Sequence, residues 1–405
     1  MKTGIVVDNE LNNDKRVLRE TGILRDAGHE IFVLCFGFKG EMMPAINGLN
    51  ITRISISKRI KNILFFFLNL IPVYEWMWSG AIRRFITANN PEVLHVHDLY
   101  MSRAAYRGIR NSGKQIPLIL DLHENYPYAV TTYNWTKGFF RSLLSRPESW
   151  KKKEREYLGY ADRIIVLSED FRDALLQQYP RLPKESFTIL PNVPDPCQMA
   201  PGEVPVPGTG FEKGVTVVLY FGVVAERRGI FDVLDVFSTL SGTNHPSAFL
   251  VIGPVDKKDR NLFFERIASE SLKGRVRYIP WIDMSELQAY LDIADICIAP
   301  FHKNPQHESG VANKIFDYML GGLPVIASDC GPQKKLIEKC RCGMIYANKE
   351  QMKEAIITLS ADPALRKEMG ENGKKAILSE YNITIKGKVL ADLYAGLKTV
   401  HEIND

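Results

Sequence analysis

The stretch "HESGVANKIFDYMLGGLPVIASD", residues 307–329, changes character three times within a few turns of chain. A polar, glycine-bearing start gives way to an amphipathic run, which breaks at Gly321-Gly322 and resumes as the apolar Pro324-Val325-Ile326-Ala327. Helical periodicity that stops at glycine before a short β-branched run is the helix-to-strand half of a βαβ unit, and such units build parallel sheets. Ser309-Gly310 at a helix start offers free backbone N–H groups at the positive end of the helix dipole, a setting suited to a diphosphate. Asp317, one turn inside, can accept hydrogen bonds from the two hydroxyls of a ribose.

The strand signal recurs on both sides of this stretch. Upstream, "GIVVD" (4–8), "EIFVLCF" (30–36), "VLHVHD" (93–98), "PLILDLH" (117–123), "RIIVLS" (163–168) and "FTILPN" (187–192) alternate with helical patterns. A second series comprises "VTVVLYFG" (215–222), "AFLVIG" (248–253), "VRYIP" (276–280), "ICIAP" (296–300), "LPVIAS" (323–328) and "CGMIY" (342–346). The fold class expected is α/β, with two doubly wound domains whose parallel sheets are buried on both faces. The Pro- and Gly-rich segment between the series lacks periodicity, as a linker should. The expected division is a first domain over 1–195, a linker over 196–213, a second domain over 214–380 and a C-terminal helix over 381–405. That helix carries Ile385, Val389, Leu390, Leu393 and Leu397 on one face and could pack back on the first domain.

Composition narrows the function classes. A chain of 405 residues with 45% hydrophobic and 24% charged residues should fold throughout as two cores. A net charge of +5 without a Lys/Arg block gives no footprint for nucleic acid. The six cysteines are scattered, and Cys340-Arg341-Cys342 lacks the second pair of a zinc site, so reduced thiols in the cytoplasm are expected. Met1-Lys2-Thr3 runs straight into the strand-like Gly4-Ile5-Val6-Val7, unlike a signal peptide. The most apolar run, 63–72, falls short of the roughly 20 residues that span a bilayer.

Ligands of open α/β sheets sit beyond the carboxyl ends of the strands. After the first run comes Asp8-Asn9-Glu10-Leu11-Asn12-Asn13-Asp14, without the glycine fingerprint that a dinucleotide cofactor needs; Asp14 is either a helix N-cap or a ligand contact. His95-Val96-His97-Asp98 and Asp121-Leu122-His123-Glu124 cluster histidines and carboxylates at two neighbouring strand ends. An HxHD pattern can ligate zinc or iron, but no metal site is expected here. In the second series Gly222 precedes Val223-Val224-Ala225-Glu226-Arg227-Arg228-Gly229, where glycine admits a ligand to the backbone and arginine can fork onto phosphate.

Taken in order, "NDKRVLRETGILRDAGHEIFVLC", "DLHE", "ILPNVPD", "YFGVVAERRGI" and "NKIFDYMLGGLPVIASD" resemble the retaining glycosyltransferases of family 4, over almost the whole chain. The resemblance implies the GT-B architecture, two Rossmann-like domains facing across a cleft. It implies transfer of a hexose from a nucleotide-diphosphate sugar, most simply a UDP-sugar, with retention and without a tightly bound metal or other cofactor. The acceptor implied is a glycan or lipid-linked acceptor in cell-surface polysaccharide assembly. Other readings are a GT-B nucleotide-sugar epimerase and a noncatalytic nucleotide-sugar or glycan-binding subunit.

The resemblance assigns catalytic roles to His123, Arg228 and Lys314. Its donor site comprises Gly222, Arg227, Arg228, Glu308, Ser309, Gly310, Val311, Lys314 and Asp317, with Arg228 on the diphosphate and Asp317 on the ribose. Two positions depart from the family pattern. Ser309 stands where a glutamate is usual, with Glu308 displaced by one, and Val223 where many members have arginine, a charge that Lys314 or Arg227 would replace. Asn13, Asp14, Arg16, His97, Asp98 and Glu124 fall on the acceptor side. The basic and aromatic segment 58–85, with Phe65, Phe66, Phe67, Trp76 and Trp78, suggests a peripheral contact with the inner face of a membrane.

Overall fold

In the computed structural model all twelve of these runs form strands, and among the described residues a thirteenth joins them. The structure describes residues 1–38, 46, 48–133, 135–136, 138–196, 208, 210–240 and 246–404, with side chains as far as 397. Packing divides the chain into two units, Met1–Pro191 with Gly387–Asp405, and Asn192–Lys386. The division thus falls a few residues before the expected linker, most of which lies outside the described residues.

The first unit contains β1 (Lys2–Val6), β2 (Glu30–Phe38), β3 (Asn50–Ile56), β4 (Val93–His97), β5 (Leu118–Asp121), β6 (Arg163–Val166) and β7 (Phe187–Ile189). They form one parallel sheet in the order β3-β2-β1-β4-β5-β6-β7. The strand that sequence patterning did not suggest is β3. It lies at the sheet edge and only Ile56 is buried, so "NITRISI" shows neither a continuous apolar run nor a clean alternation.

The second unit contains β8 (Thr216–Phe221), β9 (Ser247–Ile252), β10 (Val276–Ile279), β11 (Ile296–Ala299), β12 (Val325–Ser328) and β13 (Gly343–Tyr346). Their order is β10-β9-β8-β11-β12-β13, again all parallel. Alternation splits each strand between two cores: Leu219, Leu250 and Cys297 face one, while Val218, Val251 and Ile298 face the other. Burying a Val, Leu or Ile side chain fully is worth about 1.5–3 kcal/mol, so both helical layers are held on the sheet by these rows.

Strand order reverses between β1 and β4 in the first unit and between β8 and β11 in the second. Those switch points leave crevices at the carboxyl ends of the strands. The C-terminal helix Ile383–Asn404 starts where Asn382 caps it through Ile385 N at 3.0 Å. Leu390, Tyr394 and Leu397 are buried in the first unit's core, whereas Ile385 and Val389 are exposed, so its inward face is narrower than the sequence stripe suggested.

Candidate active site

In the second unit β8 ends at Gly222, whose φ of 135° lies outside the range of ordinary L residues. A Cβ there would lie 2.6 Å from Lys314 Nζ, so the absent side chain makes room for the lysine. The loop then turns through Glu226–Arg228 and enters the helix Ile230–Thr239 at Gly229. Gly229 has φ 72°, and a Cβ would stand 1.6 Å from the Pro300 carbonyl oxygen, so only glycine brings Arg228 this close to the end of β11.

At that end two cations approach the Phe301 ring. The Arg228 guanidinium carbon and Lys314 Nζ each lie 5.2 Å from its ring centroid, and Lys314 Nζ is also 3.7 Å from the centre of the Tyr220 ring. Neither cation has an ion-pair partner among the described residues, and Arg228 Nε is buried without a hydrogen-bond partner. Burial, reinforced by Arg228 and opposed by Asp317, holds the Lys314 ammonium well below its ordinary pKa. Burial also lowers that of Arg228. Two like charges facing a strand end, with Asp317 the carboxylate whose charge reaches Lys314, form a site that an anion would stabilise.

The helix carrying Lys314 and Asp317 spans Asn313–Leu320 and starts three residues later than the sequence suggested, with no side-chain cap. Ser309 and Gly310 therefore belong to the preceding loop, where the buried Ser309 hydroxyl donates to Gln306 O at 2.7 Å. Glu308, expected at the donor in place of Ser309, has an Oε1 that accepts the Gly331 N–H at 3.0 Å, at the start of the helix Gly331–Cys340. Val311 packs against the core. Asp317 is half-buried, and Arg227 is exposed at the rim, where its charge helps to depress Arg228 and His307.

In the first unit, His123 follows β5 and lies between two carboxylates. Its Nδ1 is 3.7 Å from Asp98 Oδ1, and its Nε2 is 3.4 Å from Asp121 Oδ2. Burial disfavours the imidazolium, but Asp121 and Asp98 outweigh it and raise the pKa to about 9. A charged His123 donates from Nε2 to His97 Nδ1 at 3.0 Å, which leaves the proton of the neutral His97 on Nε2. Asp98 has φ 73°, unusual for an aspartate, and its N–H donates to Asp121 O at 2.9 Å.

Behind this pair the cluster is closed to ligands. Arg16 binds both Asp121 oxygens, Nε and Nη2 each at 2.9 Å, and its Nη1 donates to Leu190 O at 3.2 Å. Arg16 and His97, expected on the acceptor side, are buried, and both lie against Asp121. Asp14 is an N-cap, accepting from Val17 N at 3.1 Å and from Asn9 at 2.7 Å; Asn13 is exposed. Glu124 accepts the Tyr133 hydroxyl. Asp8, at the end of β1, was not among the expected site residues: it accepts the Tyr74 hydroxyl and lies 3.5 Å from Lys61, and burial raises its pKa to about 6.

Among the described residues, Glu20, His95, His97 and Asp121 could in principle converge on a metal. Arg16 already holds both Asp121 oxygens and lies 3.0 Å from Glu20 Oε1, placing a fixed positive charge where a divalent ion would have to sit. The donor set fits an internal ion-pair network better than a metal centre.

Two doubly wound parallel sheets with polar clusters at their switch points define an α/β protein of the GT-B class. Residues 207–376 match the model for "Glycosyl transferases group 1", and residues 16–196 match that for "Glycosyltransferase Family 4". The chain belongs to this group of glycosyltransferases. It is 24% identical to the alpha-D-kanosaminyltransferase of Streptomyces kanamyceticus over 44% of this chain and 45% of that one, and so spans less than half of that relative. Its fold resembles sucrose-phosphate synthase from Thermosynechococcus elongatus, with TM-score 0.74, 15% identity and coverage of 99% and 100%. It also resembles Anabaena HepE solved in complex with UDP, with TM-score 0.69, 12% identity and coverage of 98% and 100%.

Proposed function

We propose that the chain transfers a hexose from a UDP-sugar, with retention of anomeric configuration, to a glycan or lipid-linked acceptor in cell-surface polysaccharide assembly. The observation that carries this reading is the pair Arg228 and Lys314 on Phe301, two neighbouring cations at a strand switch point. A departing nucleoside diphosphate develops negative charge on its β-phosphate, and fixed cations in a partly desolvated site stabilise that charge without reorganising. The two side chains thereby supply the neutralisation that a metal ion supplies elsewhere, and Lys314 provides the charge missing at Val223. Asp317 is assigned to the ribose hydroxyls.

His123 is assigned to the transferred sugar. Held as an imidazolium by Asp98 and Asp121, it can donate a hydrogen bond to a sugar hydroxyl but cannot serve as a general base near neutrality. That charge state suits a mechanism in which the leaving diphosphate, rather than an enzyme base, receives the acceptor proton. The UDP preference draws support from the relative solved with UDP. No described helix is long and apolar enough to cross a membrane, and a cytoplasmic enzyme working peripherally at the inner face is the location proposed.

A thermal-shift panel of UDP-, GDP-, ADP- and dTDP-sugars tests the donor, because a ligand that binds the native state raises apparent stability according to its affinity. The reading predicts the largest shift with a UDP-sugar. Equal shifts for all four, or none, would overturn it.

A further inference from the structure

The helix Phe139–Ser145 buries only its last residue. Its four large apolar side chains face outward, with Phe139 79%, Phe140 76% and Leu143 60% exposed, and Leu144 at 40%. Leaving two phenylalanines and two leucines in water on a seven-residue helix forfeits the burial that normally holds so short a helix in place. A second apolar set lies nearby. Ile60 and Ile63 project from the helix Lys58–Phe66, and Ile71, Val73 and Trp76 are exposed just beyond it.

Asn69 joins the two sets. Its side-chain amide donates to Ser145 O at 2.8 Å and Arg146 O at 3.3 Å, while its oxygen accepts from Lys153 Nζ at 2.7 Å. The loop after one helix is thereby fastened to the end of the other. Trp78, which sequence patterning grouped with this surface, is instead fully buried in the core.

Charge distinguishes this surface from a general hydrophobic patch. Lys58, Arg59, Arg141, Arg146, Lys151 and Lys152 are exposed on and beside the two helices; of the exposed acids nearby, Glu148 pairs with Lys151 at 2.7 Å and Glu156 lies 3.9 Å from Arg103. Glu75, within 58–85, is buried and neutralised by Arg103 and Arg107. Over the whole chain basic and acidic residues are nearly balanced, 52 against 47, so the local excess is specific. Outward phenylalanines and leucines ringed by cations match the boundary of an anionic bilayer, where rings enter below the headgroups and ammonium and guanidinium groups meet phosphates.

We infer that the helix Phe139–Ser145, with the adjoining helix Lys58–Phe66, is a docking surface for an anionic phospholipid bilayer, entered chiefly by Phe139 and Phe140. The inference deepens the peripheral location proposed above. Vesicle sedimentation of the full chain, without donor or acceptor, tests it independently of sugar transfer, so neither result stands or falls with the other.

The wild type should pellet with phosphatidylcholine vesicles containing phosphatidylglycerol, be largely released by high salt, and bind phosphatidylcholine alone weakly. Phe139→Ser/Phe140→Ser should lower partitioning at least ~10-fold while leaving circular dichroism and melting temperature unchanged, because neither ring packs on the core. Lys58→Gln/Arg59→Gln/Arg141→Gln should weaken binding only to the anionic vesicles. The inference is overturned if the wild type stays in solution with anionic vesicles, or if the serine variant pellets as well as the wild type. It is also overturned if lipid-free sedimentation shows a dimer that the serine substitutions dissociate, since a second copy would then be the occupant.

Discussion

The Arg16 guanidinium holds both oxygens of Asp121 at 2.9 Å inside the first unit, 105 residues away in sequence. The pair keeps Asp121 ionised against burial, and Asp121 in turn holds His123 protonated. An ion pair that contributes little by itself thus fixes the charge of a residue at the crevice.

Asp121→Asn removes the anion but leaves Arg16 buried, so it should destabilise the fold by about 3–5 kcal/mol in urea unfolding. The companion Arg16→Met/Asp121→Leu, which removes both charges, should recover most of that loss. A double variant as unstable as the single one would mean that shape rather than charge is the determinant.

The pH dependence follows from the same cluster. His123, raised from 6.5 to about 9, contributes stability that is fully present below pH 6.5 and lost as pH climbs through about 9. Glu20, raised from 4.5 to about 8 by burial and by Asp121, has the same sign over a lower window. Unfolding stability should therefore fall steadily between pH 6.5 and 9, and His123→Gln should flatten the upper part of that decline. Ring-proton NMR should give a His123 midpoint near 9; a midpoint at or below 6.5 contradicts the assignment.

Gly229→Ala forces a side chain into a position 1.6 Å from the Pro300 carbonyl oxygen at φ 72°. It should cost about 3 kcal/mol or more, and in protein that still folds it should weaken nucleotide binding by displacing Arg228. Normal melting and normal binding would show that the loop tolerates other paths.

Glu308 separates a capping role from a ligand role. If its contact with Gly331 N is its function, Glu308→Ala should lose about 1 kcal/mol of stability and leave donor affinity within about twofold. A tenfold loss of affinity for the UDP-sugar at unchanged stability would return it to the donor site.

Much of this was legible in sequence because buried parallel strands write continuous β-branched runs, as in "VVLYF" and "VIAS". The edge strand β3 was not, because an edge strand that is mostly exposed need not carry such a run. Gly222, Arg228, Lys314 and Asp317 lie within local motifs and could be read as a group. The Arg16 and Asp121 pair joins distant segments, and Phe301 reads as one more apolar residue after a strand. Its charge-facing role appears only when the loop at Gly229 is folded against it. Asp14 and Glu308 are harder to read in sequence, because helix caps and ligand contacts use the same side chains in the same places.

The most direct test of the central claim is calorimetric titration of UDP and uridine into the wild type, Arg228→Ala, Lys314→Ala and the double variant. UDP should bind the wild type far more tightly than uridine, and each single substitution should weaken UDP binding about 10- to 100-fold while leaving the weak uridine binding unchanged. Unaltered UDP affinity in the double variant would contradict the account.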